Sequence, residues 1–347
     1  MAPERFYVPV GAGWNAPMSR NISVAAVVVT FNRKTLLAEC LDALLCQNRP
    51  LDHVFIVDQA STDGTGHMLQ AQGYLQRGAI TYSRSEKNTG GAGGFKRGVE
   101  MAYSSGFDWI WLMDDDAIAK PDALDTMLRY ALVPQTIGIA NAKIRRDGTL
   151  DTGHFVYEKG SSPGSQPAYL TFSSFVGLMV SNAAVKAIGF PKAELFLQGD
   201  DTEYCIRLCE AGRIVFAQDS VLVHKEVSRP PELIRRFGRD FTIYPKDRFC
   251  FQYFLWRNRV WIELYARGFR PDRIAWLASK FLRVVLRTCL VDRIDLSFRL
   301  FILFRALMDG VLGRFDNEFP FRMRDRLIRS SNQKSRPADF QVNPEGK

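Results

Sequence analysis

A chain of 347 residues with 46% hydrophobic content is long enough for a substantial core, in one large domain or two. The formal charge of +9 is unevenly placed: residues 1–228 carry 21 Lys+Arg against 24 Asp+Glu, whereas residues 229–347 carry 25 against 13. Six cysteines without a CxxC pair, and only four histidines, exclude a disulfide scaffold or a zinc ribbon and predict free thiols in a reducing compartment. Residues 1–20 contain no long apolar segment of the secretory type, and no apolar run approaches the ~20 residues of a spanning helix. The expectation is a cytoplasmic protein that does not span a membrane, with a basic second region facing an anionic surface.

In chain order, "ISVAAVVVTFNR" (22–33) is a β-branched apolar run and predicts a fully buried strand. "KTLLAECLDALLCQ" follows with leucines at helical spacing. "HVFIVDQASTDGT" predicts a second buried strand that ends at Asp58 in a polar turn. "AITYSRSEKNTGGAGGFKRGVEMAYSSG" predicts a short strand, a Gly-rich loop and a helix, and "DWIWLMDDD" another strand. Residues 172–190 read as a strand and a short helix, and residues 194–212 as a loop and a helix that stops at Gly212. "RIVFAQDSVLVHKE" reads as two short strands ending near His224. Beyond Ser228 the texture is Arg-rich, aromatic and helical: one helix over "FQYFLWRNRVWIELYARG", and one or two over residues 274–313. Strands alternating with helices imply βαβ units, hence an α/β fold with a mainly parallel sheet. The polar signals all follow strands, at the edge where open α/β sheets bind ligands.

Three adjacent aspartates, Asp114, Asp115 and Asp116, close the aromatic strand. Crowded carboxylates repel each other and raise their own pKa values. A hard divalent cation relieves this, because such ions take several carboxylate oxygens. Side chains alternate along extended chain, so Asp114 and Asp116 can share one ion while Asp115 points the other way, towards a ribose or backbone. The alternative is a helix cap for "AIAKPDALDTML", although a cap needs one Asp. Arg33 can hold a base or phosphate, or can be a solvated helix-start residue. Asp58 can accept from a base N–H, or can cap a helix. "NTGGAGGFKRG" allows close backbone approach to a ligand but matches neither a P-loop nor GxGxxG.

Together and in order, "VVVTFNR", "VDQASTDGT", "NTGGAGGFKRG", "WLMDDDA", "QGDDTEYCIRL" and "VLVHKE" resemble the family 2 glycosyltransferases of the GT-A fold, over residues 22–230. The triple Asp, the glycine-rich segment and "DDTEY" look most like bacterial galactofuranosyltransferases and their rhamnosyltransferase-like relatives. The resemblance implies a GT-A (Rossmann-like) mixed, mainly parallel sheet flanked by helices over residues 21–228, after an extension at 1–20. It implies a nucleotide-diphosphate sugar donor bound by Thr30, Arg33, Asp58 and Asn88, with Gly90 and Gly91 at the pocket wall and Asp115 alongside. It implies Mn2+ or Mg2+ on Asp114 and Asp116 with His224 as third ligand, an imidazole favouring manganese. Asp201 matches the general base of an inverting transfer, and Asp200 the acidic residue before it; otherwise the two simply start a helix. Gly199 departs from galactofuranosyl relatives, which tend to carry an aromatic there. The implied acceptor is a glycan or lipid-linked glycan.

Over residues 229–330, Lys280, Arg283 and Arg287 share a helix face beside large aliphatics, and "LSFRLFILFRALMDGVLGRF" is similar, with Arg299 and Arg305 interspersed. Such helices read as interfacial, hence peripheral on the inner face of the cell membrane, or as a helical subdomain or homo-oligomer contact. Residues 331–347 are polar and predict disorder. Two readings compete. A nucleotidyltransferase needs a glycine in the loop after the first strand, where "TFNRKT" has none. A basic nucleic-acid-binding protein is the alternative of another class, although the basic region has no finger or RNP-like signature and its charges alternate with large aliphatics.

Overall fold

The computed structural model describes residues 22–225, 232–293 and 295–334, with residues 330–334 by backbone alone. Contacts divide the chain between Ser228 and Arg229 into two compact units.

The first unit contains, in chain order, β1 (Val24–Thr30), α1 (Lys34–Leu45), β2 (His53–Asp58), α2 (Thr65–Ala71), β3 (Ile80–Arg84), α3 (Gly90–Ser104), β4 (Trp109–Asp114), β5 (Ala117–Ala119), α4 (Ala123–Tyr130), β6 (Thr136–Ile144), β7 (Phe155–Tyr157), β8 (Tyr169–Ser173), β9 (Leu178–Ser181), α5 (Asn182–Ile188), α6 (Asp200–Ala211) and β10 (Arg213–His224). Ten strands form one sheet in the order β3-β2-β1-β4-β9-β6-β10-β8-β7, with β5 beside β10. Strands β3, β2, β1 and β4 run parallel, as do β6 and β10, while β9 is antiparallel between β4 and β6. The sheet is therefore mixed and mainly parallel, as expected.

Strand β1 shows why both faces are covered. Val24, Ala26 and Val28 pack into one core with Leu37, Leu41 and Leu44 of α1 and Leu124 and Met127 of α4. Ala25, Val27 and Val29 pack into the other, with Phe95 and Val99 of α3 and Tyr204 and Leu208 of α6. Alternation with period two sends the residues of one apolar run into two cores, which is why the run is continuous rather than amphipathic. Gly98 lets α3 lie close on the sheet: a Cβ there would collide with Val27.

Three local readings differ from the structure. The glycine-rich segment is not a loop, because α3 begins at Gly90 and takes in Gly91, Gly93 and Gly94. Residues 172–190 hold parts of two strands, β8 and β9, before α5. The stretch read as two short strands is one long strand, β10, with an irregularity between Ala217 and Val221. That irregularity serves a buried polar chain. Trp111 Nε1 donates to Asn141 Oδ1 at 2.9 Å, Asn141 Nδ2 to Ser220 Oγ at 2.6 Å, and Ser220 Oγ to the Ala123 carbonyl at 2.7 Å. A buried amide must find such partners, and the bulge delivers Ser220 to it.

The second unit holds a hairpin of β11 (Glu232–Arg236) and β12 (Arg239–Ile243), then α7 (Lys246–Phe249), α8 (Gln252–Trp261), α9 (Pro271–Arg287), α10 (Leu296–Val311) and α11 (Phe319–Lys334). Short π-helical turns extend α8 and α9. Two of its arginines, Arg257 and Arg299, are buried, so α10 serves the core of this unit as well as its surface. Arg299 is buried, lies 3.6 Å from Asp292, donates to the Tyr244 carbonyl at 2.7 Å and stacks on Phe249. Arg305 pairs with Asp309, which also accepts from Tyr253. Helix α10 is thus a core helix, with Ile302, Leu303 and Ala306 fully buried. One face stays open: Phe301, Phe304 and Met308 on α10, and Leu282 and Leu286 on α9, are exposed. An apolar cleft of about 340 Å³ runs between α8, α9 and α10, lined by Val260, Leu277, Phe281, Phe304 and Leu307. Among the described residues no helix is long and apolar enough to cross a membrane. The helix α11 runs to Lys334, into the segment expected to be disordered; residues 335–347 and the extension at 1–20 lie outside the described residues.

Candidate active site

The carboxyl ends of the parallel strands lie in register. Thr30 pairs with Asp58, Asp58 with Arg84, and Val29 with Asp114. One sheet edge therefore presents the ends of β3, β2, β1 and β4 side by side. There β4 stops at Asp114 and the chain turns at Asp115 and Asp116 before β5 runs back, antiparallel to β10, with Ala117 opposite His224. The backbone Lys225 N–H donates to the Asp116 carbonyl at 2.9 Å.

This turn, rather than the extended chain expected from the sequence, brings the ligand candidates together. Donor atoms of Asp114, Asp116 and His224 lie within 4.8 Å of one another, and His224 Nε2 is 3.3 Å from Asp116 Oδ1. Among the described residues, the buried Asp116 Oδ1 has no donor in hydrogen-bonding geometry. Burial and the neighbouring carboxylates push the Asp114 carboxyl up to about 7. A cluster of two carboxylates and an imidazole, with one buried oxygen lacking a donor and one acid pushed towards neutrality, has the chemistry that a divalent cation satisfies. The residues present fit such an ion.

Asp115 is not part of that close group, and it meets protein. Its Oδ2 accepts from Thr30 Oγ1 at 2.7 Å and its Oδ1 from Arg33 Nη1 at 3.2 Å. The same Arg33 nitrogen donates to Asp116 at 2.9 Å. Burial nonetheless pushes the Asp115 carboxyl up to about 6, with Arg33 and Thr30 opposing. Asp58 is buried, accepting from Ser61 N at 2.8 Å and from the Tyr82 hydroxyl at 2.6 Å, so here it anchors a turn. Asn88 Oδ1 accepts from Gly90 N at 2.7 Å at the start of α3. Gly91 has open space where a side chain would project, whereas Gly90 is closed off by Phe196.

Asp200 and Asp201 open α6 after a strained loop, in which Phe196, Gln198 and Gly199 all have positive φ. Acidic residues there are favoured by the helix dipole. Asp201 Oδ1 accepts from the Thr202 backbone N–H at 2.7 Å. Burial pushes Asp201 up to about 6. Asp200 is pushed well above the usual carboxylate range by burial, by Asp201 and, more weakly, by Asp114, which places the start of α6 beside the end of β4. A raised carboxyl next to a cation-ready cluster is a usual mark of a working site.

Sequence reasoning missed one side of this site. Asp151, His154 and His224 form a second close group, with the His154 and His224 rings edge to face at 4.8 Å. Asp151 is already engaged by Arg145 at 2.7 Å, and His154 Nδ1 by Ser174 Oγ at 2.8 Å, so these residues buttress His224. The sequence signal was thin: two of only four histidines, 70 residues apart, joined by no motif.

A doubly covered, mainly parallel sheet with an acidic cluster at its carboxyl edge and a second carboxylate pair on a facing helix defines a GT-A transferase. The family model "Glycosyl transferase family 2" matches residues 25–173. The chain is 34% identical over 260 residues to galactofuranosyltransferase GlfT1 of Mycobacterium tuberculosis, covering 69% of this chain and 82% of that protein. It is 31% identical to GlfT1 of Mycolicibacterium smegmatis over 261 residues, covering 71% and 84%. Among solved structures it resembles S. aureus TarS 1-349 (TM-score 0.54, 15% identity, 93% of this chain and 95% of that one). The chain belongs to glycosyl transferase family 2, on its galactofuranosyltransferase-like side, and is a glycosyltransferase.

Proposed function

We propose that this glycosyltransferase is inverting and metal-dependent, and moves galactofuranose from UDP-galactofuranose to a hydroxyl of a glycan or lipid-linked glycan. The observation that carries the reading is the convergence of Asp114, Asp116 and His224 into one ligand-competent group, with the acidic start of α6 beside it. Manganese or magnesium held by those three residues would act as a Lewis acid on the departing diphosphate. The chain's own residues do the rest. Arg33 meets Asp115 and Asp116 through one guanidinium nitrogen and its side chain is 42% exposed, so its remaining N–H groups would meet a donor phosphate. Asp201 accepts the proton of the attacking hydroxyl, a role worth about 10²–10⁴-fold in rate for a positioned base. One base on the acceptor side suits a single displacement, hence inversion. The choice of galactofuranose follows the similarity to the two GlfT1 proteins; a rhamnosyl or other hexosyl donor is the alternative within the family. The exposed apolar faces of α9 and α10, with Lys280 and Arg283 beside them, support contact with an anionic membrane surface, such as one that holds a lipid-linked acceptor.

The test is a panel of UDP-, dTDP- and GDP-sugars that includes the furanose form of UDP-galactose, scored for manganese-dependent nucleotide release and for the anomeric configuration of the product. Release from UDP-galactofuranose with inversion is the expected result. A metal-independent reaction, or a retained configuration, overturns the reading.

A further inference from the structure

Among the described residues, Lys143 is the one lysine with a buried side chain, and it is fully buried. It stands near the carboxyl end of β6, opposite Leu222 of β10. Its Nζ donates to Ser173 Oγ at 3.0 Å, and it takes part in no ion pair among the described residues. An ammonium taken out of water without a carboxylate partner is costly, so packing alone does not explain it.

The Ser173 contact leads to the acceptor-side carboxylates. Cys205 Sγ donates to the Ser173 carbonyl at 3.2 Å and accepts from the Ser173 backbone N–H at 3.4 Å. Cys205 lies four residues after Asp201, one turn along the same face of α6. The Ser173–Cys205 clasp therefore fixes the face of α6 that carries Asp201 over the end of β6 that carries Lys143. The other ionisable groups around the lysine are Cys205 itself, Asp151 and His154; Asp200 adjoins Asp201 on α6.

We propose that Lys143 is a positioning residue for the base of the transfer reaction, its ammonium, held by Ser173, keeping the Asp201 carboxylate ionised and directed into the site. The inference rests on the reaction proposed above. Burial raises Asp201; hydrogen bonds from Thr202 oppose that rise first and the lysine adds to them, leaving the carboxyl at about 6. Burial lowers Lys143 to about 7, with Asp201 among the groups that hold it up. Each group thus favours the charged form of the other. When Asp201 takes the proton of the acceptor hydroxyl, the ammonium loses a neighbouring negative charge, which favours release of that proton to solvent and resets the base.

The experiment follows Asp201 directly. The ¹³Cγ resonance of Asp201, assigned by its loss in Asp201→Asn, is titrated in the full chain and in Lys143→Met. Should the Met variant not fold, Lys143→Gln, which keeps a donor for Ser173, gives the same reading. The expected result is an upward move of the Asp201 midpoint by about one unit or more. Transfer at pH 6 then falls about tenfold further than at pH 8, with an unchanged KM for the donor. An unmoved midpoint, or a loss of transfer equal at both pH values, overturns the proposal. A moved midpoint in a protein that transfers no sugar leaves the Lys143–Asp201 coupling standing and refutes the reaction instead.

Discussion

The carbonyl group of Phe196 occupies the space that a Cβ on Gly90 would need, and it accepts from the backbone N–H of Ala92 at 3.1 Å. Both residues have positive φ, 73° at Gly90 and 62° at Phe196. A bulky residue in that region is held against its own preference. The loop that carries Phe196 runs directly into Asp200 and Asp201, so the start of α3 sets the position of the acceptor-side acids. Gly90→Ala is expected to cost about 1–3 kcal/mol in stability, read from urea denaturation, and to lower kcat more than it raises the donor KM. Gly91→Ala, where a side chain meets open space and φ is ordinary, should be silent in stability; a loss of donor affinity there would mean that backbone at Gly91 touches the nucleotide.

Replacing Asp201 by Asn removes the proton acceptor and little else. Turnover should fall by about 10²–10⁴, while the affinity for the nucleotide sugar, measured by calorimetry with manganese, stays within a factor of two or so of the parent. A variant that keeps most of its turnover would move the base elsewhere.

The pH dependence follows from the same carboxyl. Asp201 must be ionised to accept a proton, and burial raises it to about 6. The rate should therefore be full above about pH 7 and fall about tenfold per unit below 6, not below 4 as for an ordinary aspartate. The measurement is kcat against pH at saturating donor and metal.

Removing a ligand should act on the ion first. His224→Ala and Asp116→Ala are each expected to weaken manganese binding by at least tenfold, as followed by the electron paramagnetic resonance of the free ion, with secondary structure preserved. Chelation should abolish transfer, and manganese should restore it more fully than magnesium, because an imidazole ligand favours the softer ion. Undiminished manganese affinity in both variants would place the ion elsewhere.

The proposed membrane contact would depend on exposed residues of the second unit rather than on its arginine count. Leu282 and Leu286 are exposed on α9, and Arg283 Nη2 donates to Ser279 Oγ on its own helix at 2.9 Å. Arg283→Glu with Leu286→Ser should reduce sedimentation with anionic vesicles several-fold and leave neutral vesicles unaffected. Equal sedimentation of variant and parent removes the membrane reading.

Much of this was legible in the sequence. The continuous β1 run announced a strand buried on both faces, and the acids after β4 announced a charged edge, because both signals are local. What stayed hidden depends on pairing between distant strands. Asp114 and Asp116 converge through a turn and the β5–β10 ladder, which period-two reasoning could not supply. Glycines that read as a loop became the first turns of α3, since their small size serves helix-to-sheet packing against Val27 and Val29 as well as flexibility. Arg299 looked like a surface charge because its partners, Asp292 and the Tyr244 carbonyl, lie outside its own helix. Lys143 gave no signal at all, for its neighbours come from β8 and α6.

The irregularity in β10 also resets which side its residues face. Ala217 is opposite Asn141 and Val221 opposite Ala142, so residues 218–220 are extra on one strand. Ala217 and Val221 are four apart yet enter opposite cores, because their partners are adjacent on β6. The extra residues absorb that change of side, and the ladder from Val221 to His224 takes its facing from β6 and β5 rather than from the run before it. Homologues can therefore differ in length at this segment and still hold the histidine beside the acids, provided a hydroxyl continues to reach Asn141.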